Sequence, residues 1–415
     1  MINVTNKRNC CGCEACVQIC PMQCILLEQD NEGFLYPRVN KDLCVDCGLC
    51  EKTCPVINKR EQTLPLNVWA AQNNDDEIRK ESSSGGVASL LAEKIIDDGG
   101  VVFGVSFNEK WEAVHTYAET KEQLTMFRGS KYVQSRIGDS FFQVKELLKT
   151  DRRVLFVGTP CQVSGLKLFL RKDYPNLITV DFICHGVPSP GIFKWYLQEE
   201  LNKYEAARKD SEKKSFVSFS CIHSIPKGDI LLPEKVEIVD IRFRDKREGW
   251  KKYSFVLSLT EVSADGKKNI VSFSTNVSKN TFLRGFCSDL YLRPSCHQCP
   301  VRNFRSGSDI TIADFWGQEY MFPEFDKDTG VSSVIVKSEK GGQLFSSIDN
   351  VKKEKKTIEQ VLSYNPSLIH SKGEPYTRKK FWGNYGKYSL EETIAHAVHL
   401  NYLERAILKI KKILK

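Results

Sequence analysis

Ten of the sixteen cysteines fall between Cys10 and Cys54, and their spacing constrains the fold more than any other feature of the chain. Cys10, Cys13, Cys16 and Cys20-Pro21 fit C-x2-C-x2-C-x3-C-P, and Cys44, Cys47, Cys50 and Cys54-Pro55 repeat it. This is the bacterial two-cluster ferredoxin spacing, in which the fourth cysteine of each run ligates the other cluster. Three thiolates on one tight loop hold three iron corners, and the fourth arrives from across a pseudo-twofold axis. One 4Fe–4S cluster is therefore expected on Cys10, Cys13, Cys16 and Cys54, the other on Cys44, Cys47, Cys50 and Cys20. The proline after each fourth cysteine ends the loop and removes a backbone donor. Zinc also takes C-x2-C pairs, but two complete matches with both prolines favour iron. Cys11 and Cys24 fall outside the pattern and read as packing or spare thiols.

A chain of 415 residues suggests two or three domains at roughly 150 residues each. With 41% hydrophobic and 27% charged residues it is ordinary for a globular protein and too apolar for disorder. No apolar run approaches the roughly 18 residues of a membrane-spanning helix. The segment from Met1 to Arg8 has no apolar signal core, so a cytoplasmic, non-spanning protein is expected. A disulfide scaffold would be small and exported; clustered thiols in a reducing compartment point to metal. Each four-thiolate 4Fe–4S centre carries about −2, so three would bring the formal charge of +8 to about +2. Nucleic-acid binding is not inferred from the basic balance.

Residues 58–67, with Pro65 and no periodicity, read as a linker. Beyond it, strands at Val68–Ala71, Val101–Phe107, Val154–Val157 and Ile178–Ile183 alternate with helices at Val87–Asp97, Asp139–Leu148, Val163–Leu170 and Ile192–Leu201. That alternation predicts an α/β domain with a mostly parallel, helix-covered sheet. From about Ser215 to Thr275 the pattern turns β-rich, with strands at Phe216–Phe219, Val236–Phe243, Tyr253–Leu259 and Ile270–Ser274 and a hairpin turn at Ala264–Lys267. Asp309–Phe315 and Val334–Val336 return as strands. The fold expected is an α+β ferredoxin module, then an α/β domain with a β-rich insertion and a C-terminal helix. The charged run from Ala207 to Lys214 reads as a solvated loop.

Four further cysteines are suggestively placed. Cys161 follows the strand Val154–Val157, and Cys184 closes the strand Ile178–Ile183. If these strands are parallel neighbours, both thiols emerge at the carboxyl edge, where open α/β sheets bind ligands. Cys296 and Cys299 add a C-x2-C pair from a later loop. A third 4Fe–4S site on Cys161, Cys184, Cys296 and Cys299 stands beside blander readings: buried thiols, a zinc pair or a redox dithiol. Cys287 and Cys221 compete as ligands, and His297 reads as a bystander. Ser82-Ser83-Ser84-Gly85-Gly86 precedes a helix, where glycines and free N–H groups suit a phosphate and where serines also simply cap helices. Arg128 to Ser135, with Ser130, Lys131 and Tyr132, forms a second polar candidate loop.

Together these motifs, with Gly158-Thr159-Pro160-Cys161-Gln162, Cys184-His185-Gly186, Arg293-Pro294-Ser295-Cys296 and Asp309 to Gly317, resemble the family of coenzyme F420 hydrogenase/dehydrogenase beta subunits. The likeness covers roughly residues 1–320 and is nearest to members with a fused N-terminal ferredoxin, including the polysaccharide-cluster-associated branch. It implies FAD and the third 4Fe–4S cluster in the α/β part, with Ser82, Ser83, Ser84, Gly85, Gly86, Ser130, Lys131, Tyr132, Gly158 and Thr159 as cofactor contacts. It implies a ferredoxin domain over 1–57, a flavin-binding half over 68–205, a second half with the insertion and C-x2-C loop over 206–385, and a basic amphipathic helix over 386–415. The stretch Phe243-Arg244-Asp245-Lys246 with Gly249-Trp250 departs from relatives that use coenzyme F420, which puts use of that coenzyme in doubt.

The activity these features imply is an iron–sulfur flavoprotein oxidoreductase of an anaerobe, passing electrons between clusters and FAD, to or from an organic substrate the sequence does not name. The candidate catalytic residues are Lys131, as a cation neutralising a phosphate or the reduced flavin, and His185, as a proton donor at the sheet edge or else a hydrogen-bonded structural histidine. The alternative is an electron-transfer subunit that wires a low-potential carrier to a partner enzyme. The C-terminal stripe from Ile394 to Leu414 with its terminal lysines is read as a surface helix, or as one touching a partner or anionic lipid.

Overall fold

The computed structural model describes residues 1–211, 223–234, 236–262, 268–321, 325 and 328–399. At the N-terminus, strands β1 (Ile25–Gln29) and β2 (Leu35–Val39) pair antiparallel with Ile25 opposite Val39. Asp30 sets their turn, its Oδ1 accepting from the N–H groups of Glu32 and Phe34. Each cysteine loop turns at a left-handed glycine, Gly12 and Gly48, both at φ +70°, before a short helix, Ala15–Gln18 or Leu49–Lys52.

The later strands are β3 (Asn67–Asn73), β4 (Val101–Phe107), β5 (Ala113–Ala118), β6 (Val154–Val157), β7 (Leu177–Phe182), β8 (Val236–Asp245), β9 (Ser254–Val262), β10 (Lys268–Asn276), β11 (Ile310–Asp314), β12 (Ser332–Val336) and β13 (Val351–Lys356). One sheet has the order β13-β3-β12-β11-β7-β6-β4-β5. Its centre, β11-β7-β6-β4, is parallel, as the alternation predicts. Both flanks are antiparallel.

Strand geometry sends neighbouring side chains to opposite faces. Val101, Phe103, Val154 and Phe156 pack on one face against Phe141, Val144, Val163 and Leu166 of the helices Ser140–Leu148 and Pro160–Leu170. Val102, Leu155, Ile178 and Val180 pack on the other against Leu90, Leu91 and Ile95 of the helix Val87–Asp97. Covering both faces is why these strands read as unbroken apolar runs. The edge strand β13 was not legible in that way: Lys352, Lys353, Glu354 and Lys355 are exposed, a composition that protects an edge from pairing with other chains.

Strands β8, β9 and β10 form the separate antiparallel sheet expected of the insertion. It packs Phe243, Phe255 and Leu259 onto Trp195, Tyr196 and Leu197 of the helix Pro190–Ser211. That helix corrects one expectation. It runs through Ala207 to Ser211, where a loop was expected, and Arg208 pairs with Glu205 one turn back at 2.9 Å, a spacing that supports helix. The strand and turn expected at 216–219 and 264–267, and Cys221, lie outside the described residues. So do residues 400–415. The helix Leu390–Val398 buries Leu390, Ile394 and Ala397 in the same core. Among the described residues, no helix is long and apolar enough to cross a membrane.

The cysteine-rich module is docked on the sheet domain. A Cβ on Gly33, at the tip of the β1–β2 turn, would lie 2.6 Å from Gly191 Cα. Ser189 Oγ donates to the Glu32 carbonyl, and Arg378 donates to the Glu32 carboxylate at 3.0 Å.

Candidate functional site

Three cavities are walled by thiols. The first, about 430 Å³ of space partly continuous with solvent, is bordered by Cys10, Cys13, Cys16 and Cys54. The second, about 340 Å³, is bordered by Cys20, Cys44, Cys47 and Cys50. Folding therefore sorts the sulfurs in the crossed arrangement that the spacing predicts: Cys54 joins the first run and Cys20 the second.

The third cavity, about 640 Å³ with its open mouth, is bordered by Cys161, Cys184, Cys296 and Cys299. Strands β6 and β7 are parallel neighbours, so their carboxyl ends deliver Cys161 and Cys184 to one edge. Thr159 caps the helix Pro160–Leu170 in a capping box with Gln162, which puts Cys161 in the first turn. Thr159 Oγ1 also lies 3.2 Å from Cys161 Sγ. The C-x2-C loop is laced to the Cys184 loop: Arg293 N donates to Val187 O at 3.0 Å, and Val187 N donates to Cys296 Sγ at 3.4 Å. Of the competitors, Cys287 is exposed and is not on this wall. His297 Nδ1 sits 3.1 Å from Lys372 O.

Burial pushes the Cys184 thiol well above its ordinary range and raises Cys296 to about 12 and Cys299 to about 11. The nearby Cys11 thiol, and then burial, push Cys161 up as well. Such thiols stay protonated near neutral pH, and a metal ligand must lose its proton. Arg302 on the same wall acts in the other direction on Cys184 and Cys299. Lys337, also lining the cavity, sits 3.9 Å from the buried Asp181 carboxylate. The lining therefore carries a net positive charge, which suits a dianionic four-iron centre. Among the described residues, no three His, Cys, Asp or Glu side chains close on one point as ligands of a single ion do. In a cubane each thiolate binds a different iron, so the sulfurs stand apart.

Cys11 has a place that sequence reasoning missed. It lines both the first and the third cavity, and its buried thiol is pushed well up, first by Cys13 and then by burial. It forms the partition between the two. Nothing in the octet spacing marks a position that is defined by contact with Cys161, far along the chain.

The two polar loops come together elsewhere. Ser130 donates to Ser83 Oγ twice, from its N–H at 2.6 Å and its hydroxyl at 2.7 Å. Gly85 N donates to Ser332 Oγ at 3.0 Å, and Ser84 Oγ to Val331 O at 2.8 Å, which ties the serine loop to β12. Gly86 opens the helix Val87–Asp97 without a side-chain cap. Among the described residues, Asn73 Nδ2, Arg79 Nε and Arg128 Nε are buried around these loops without a hydrogen-bond partner. The loops are thus rich in donors and fit an acceptor-rich group such as a pyrophosphate. Lys131 behaves differently from a free cation. Its amine donates to the carbonyls of Met126, Arg128 and Gly129 at 3.0–3.3 Å, and burial lowers it to about 8. Gly158 and Thr159 belong to the turn ahead of Cys161, not to the Ser83–Ser130 contact. His185 Nε2 lies 2.5 Å from Asp289 Oδ1.

Tyr132 leads to a second unforeseen group. Its ring packs against Phe243 and Phe286, beside Arg244. That guanidinium is buried, donates to Asp314 at 2.6 Å, and lies 4.7 Å from the centroid of Tyr253. Its Nε and Nη2 have no hydrogen-bond partner among the described residues. These two atoms form the edge of arginine that binds a carboxylate or phosphate in bidentate fashion.

Three stretches match family models. Residues 68–140 match the N-terminal model, and residues 151–361 the C-terminal model, of "Coenzyme F420 hydrogenase/dehydrogenase, beta subunit". Residues 9–58 match the "4Fe-4S dicluster domain". The F polypeptide of the F(420)H(2) dehydrogenase of Methanosarcina mazei is 26% identical over 242 residues, 53% of this chain and 68% of that one. Ferredoxin-1 of Caulobacter vibrioides is 46% identical over 41 residues, 10% of this chain and 32% of its own length. A chain of the F420-reducing [NiFe] hydrogenase complex from Methanosarcina barkeri aligns at 17% identity with a TM-score of 0.41, covering 86% of this chain and 96% of that one.

Proposed function

Since the chain belongs to the family of coenzyme F420 hydrogenase/dehydrogenase beta subunits and carries a 4Fe-4S dicluster domain, we propose that it is an oxidoreductase that moves electrons between three 4Fe–4S centres, FAD and an organic substrate. The observation that carries this reading is the convergence of Cys161, Cys184, Cys296 and Cys299 from three separate loops on one cavity, partitioned by Cys11 from the first ferredoxin cavity. In this reading each of the three cavities holds one cubane on the four thiolates named for it, and Cys11 and Cys24, which also border these cavities, are not ligands.

A bound flavin supplies two-electron exchange with an organic molecule and single-electron exchange with iron–sulfur centres. The serine loop and Ser130 hold it, with the uncapped helix start at Gly86 and the unpaired donors of Asn73, Arg79 and Arg128 taking its phosphates. Arg244 offers its unpaired edge to an oxyanion of the same nucleotide, and Tyr132 packs beside it. Lys131, tied to three carbonyls, acts by stiffening the loop. His185, held by Asp289, remains the proton-handling candidate at the mouth of the third site.

The name of the Methanosarcina mazei relative refers to F420H2. Here the organic substrate is an unspecified donor or acceptor of a hydride or electrons. A second reading, an adaptor without substrate chemistry, is favoured by the exposure of Cys47 at the second cavity, where a partner protein could exchange electrons.

The test is anaerobic purification with iron, sulfide and flavin counted per chain. About twelve irons and one flavin are expected from three cubanes and one FAD; about eight irons would overturn the third centre. Flavin that is bleached by a small organic donor without any partner protein separates the enzyme from the adaptor.

A further inference from the structure

Arg293 is among the largest fully buried side chains of the protein, 1% exposed, and it lies at the boundary between the ferredoxin module and the sheet domain. Its Nε donates to Cys10 O at 2.7 Å, its Nη1 to Gln134 Oε1 at 2.9 Å, and its Nη2 to Leu35 O at 2.9 Å. Nη2 also donates to Cys10 Sγ at 3.4 Å. The guanidinium sits 4.3 Å from the centroid of Tyr36 and 5.3 Å from that of Phe34. The fit is close: a Cβ on Gly12 would lie 2.4 Å from Gln134 Nε2 and 2.7 Å from Arg293 Nη1.

Among the described residues, no carboxylate pairs with this cation. Glu14, on the wall of the first cavity, is held by Arg136 at 2.8 Å, and Asp30 pairs with Lys7 at 2.6 Å. The charge that faces Arg293 is the Cys10 sulfur, and that contact raises the guanidinium further against burial. The second cavity has no counterpart among the described residues. Among the described residues, no lysine or arginine side chain donates to the sulfur of Cys20, Cys44, Cys47 or Cys50, as Arg293 does to that of Cys10, and Asp46 on that wall pairs with the terminal ammonium of Met1 at 3.0 Å. A backbone N–H, that of Ile2, donates to Cys50 Sγ at 3.3 Å.

From this asymmetry we propose that Arg293 sets the reduction potential of the cubane held by Cys10, Cys13, Cys16 and Cys54, raising it through the Cys10 sulfur; this rests on the reading that those thiols hold a cluster. Reduction adds one negative charge to the cluster. A fixed buried cation with an N–H on a ligand sulfur favours that added charge, and the low dielectric of the boundary leaves it little screened. Arg293 lies three residues before Cys296, on the loop that also supplies the third cavity. One residue thus ties the electron affinity of the inner ferredoxin centre to the loop of its neighbour.

The test is a potentiometric titration of the whole protein, prepared without air and followed by EPR. Arg293→Gln should shift the oxidised-to-reduced ratio of one cubane at least tenfold at fixed potential, about 59 mV for one electron, toward harder reduction. The third centre, whose Cys161 and Cys296 also feel the Arg293 charge, should shift less, and the second should not move. Arg293→Lys keeps the charge but not the fork and should recover part of the shift. In unmodified protein grown with 15N-guanidinium arginine, the same cubane should show a nitrogen hyperfine coupling, a measurement that needs no variant to fold. The inference fails if iron is intact and the Gln variant titrates within threefold of the parent, or if no reduced cluster couples to arginine nitrogen. Protein lacking the eight irons of the module would instead sink the reading beneath it.

Discussion

Gln18 caps a helix to which it does not belong: its Oε1 accepts from the backbone N–H of Phe141 at 3.0 Å, and from that of Phe142 at 3.1 Å. The glutamine ends the first short helix of the ferredoxin module, and Phe141 lies in the first turn of the sheet-domain helix Ser140–Leu148. That helix has no side-chain cap of its own, so the module supplies the acceptor that its free N–H groups require.

Gln18→Ala should therefore weaken docking more than folding. A lost cap with two unsatisfied donors costs about 1–2 kcal/mol. In differential scanning calorimetry the module should then separate from the main transition or melt earlier. A single unshifted transition would show that the other contacts, such as Arg378 with Glu32, hold the boundary alone.

Cys161→Ala should remove about four irons while the ferredoxin signals persist, because its thiol borders only the third cavity. Cys287→Ala, at an exposed thiol, should remove none. Iron counted per chain in both variants checks the pair, and loss of iron from Cys287→Ala would reassign the fourth ligand.

Arg244→Gln should lower flavin content without changing iron. One charge-assisted hydrogen bond is worth about 2 kcal/mol, or roughly thirtyfold in affinity. Equilibrium dialysis with added FAD measures it. Unchanged flavin binding would assign the unpaired edge of Arg244 to another ligand.

His115 carries a pH dependence. Its ring stacks on Phe156 with centroids 5.2 Å apart and is held between Val157 O and Ser135 Oγ, each at 3.2 Å. Burial pushes it down to about 4. The unfolded chain takes up a proton near pH 6.5 and the folded one does not, so the stability is complete above that pH and falls away toward pH 4. The span corresponds to about 3 kcal/mol. Chemical denaturation of the protein and of His115→Asn at pH 7 and pH 5 checks it: the variant should show a flatter slope.

The cysteine octet was readable because its chemistry is local: three ligands of each cubane lie within seven residues, and the spacing itself is the signal. The central strands were readable for a related reason, since β4, β6 and β7 are apolar on both faces. Strand β13 was hidden because its polar side chains answer to its exposed edge and not to a core. The helix past Ala207 was hidden because a charged run looks the same whether it is coiled or solvated.

Sequence alone determined the composition of the first two thiol sets, the alternation that builds the parallel centre, and the emergence of Cys161 and Cys184 after neighbouring strands. Only the tertiary structure decided that Cys296 and Cys299 complete that wall, that Cys11 divides two cavities, and that Arg293 meets Cys10. The physical reason is range. Spacing on a loop is imposed by covalent geometry a few residues long, whereas a buried cation 283 residues from its sulfur is placed by the packing of two modules, which leaves no periodic trace in the chain.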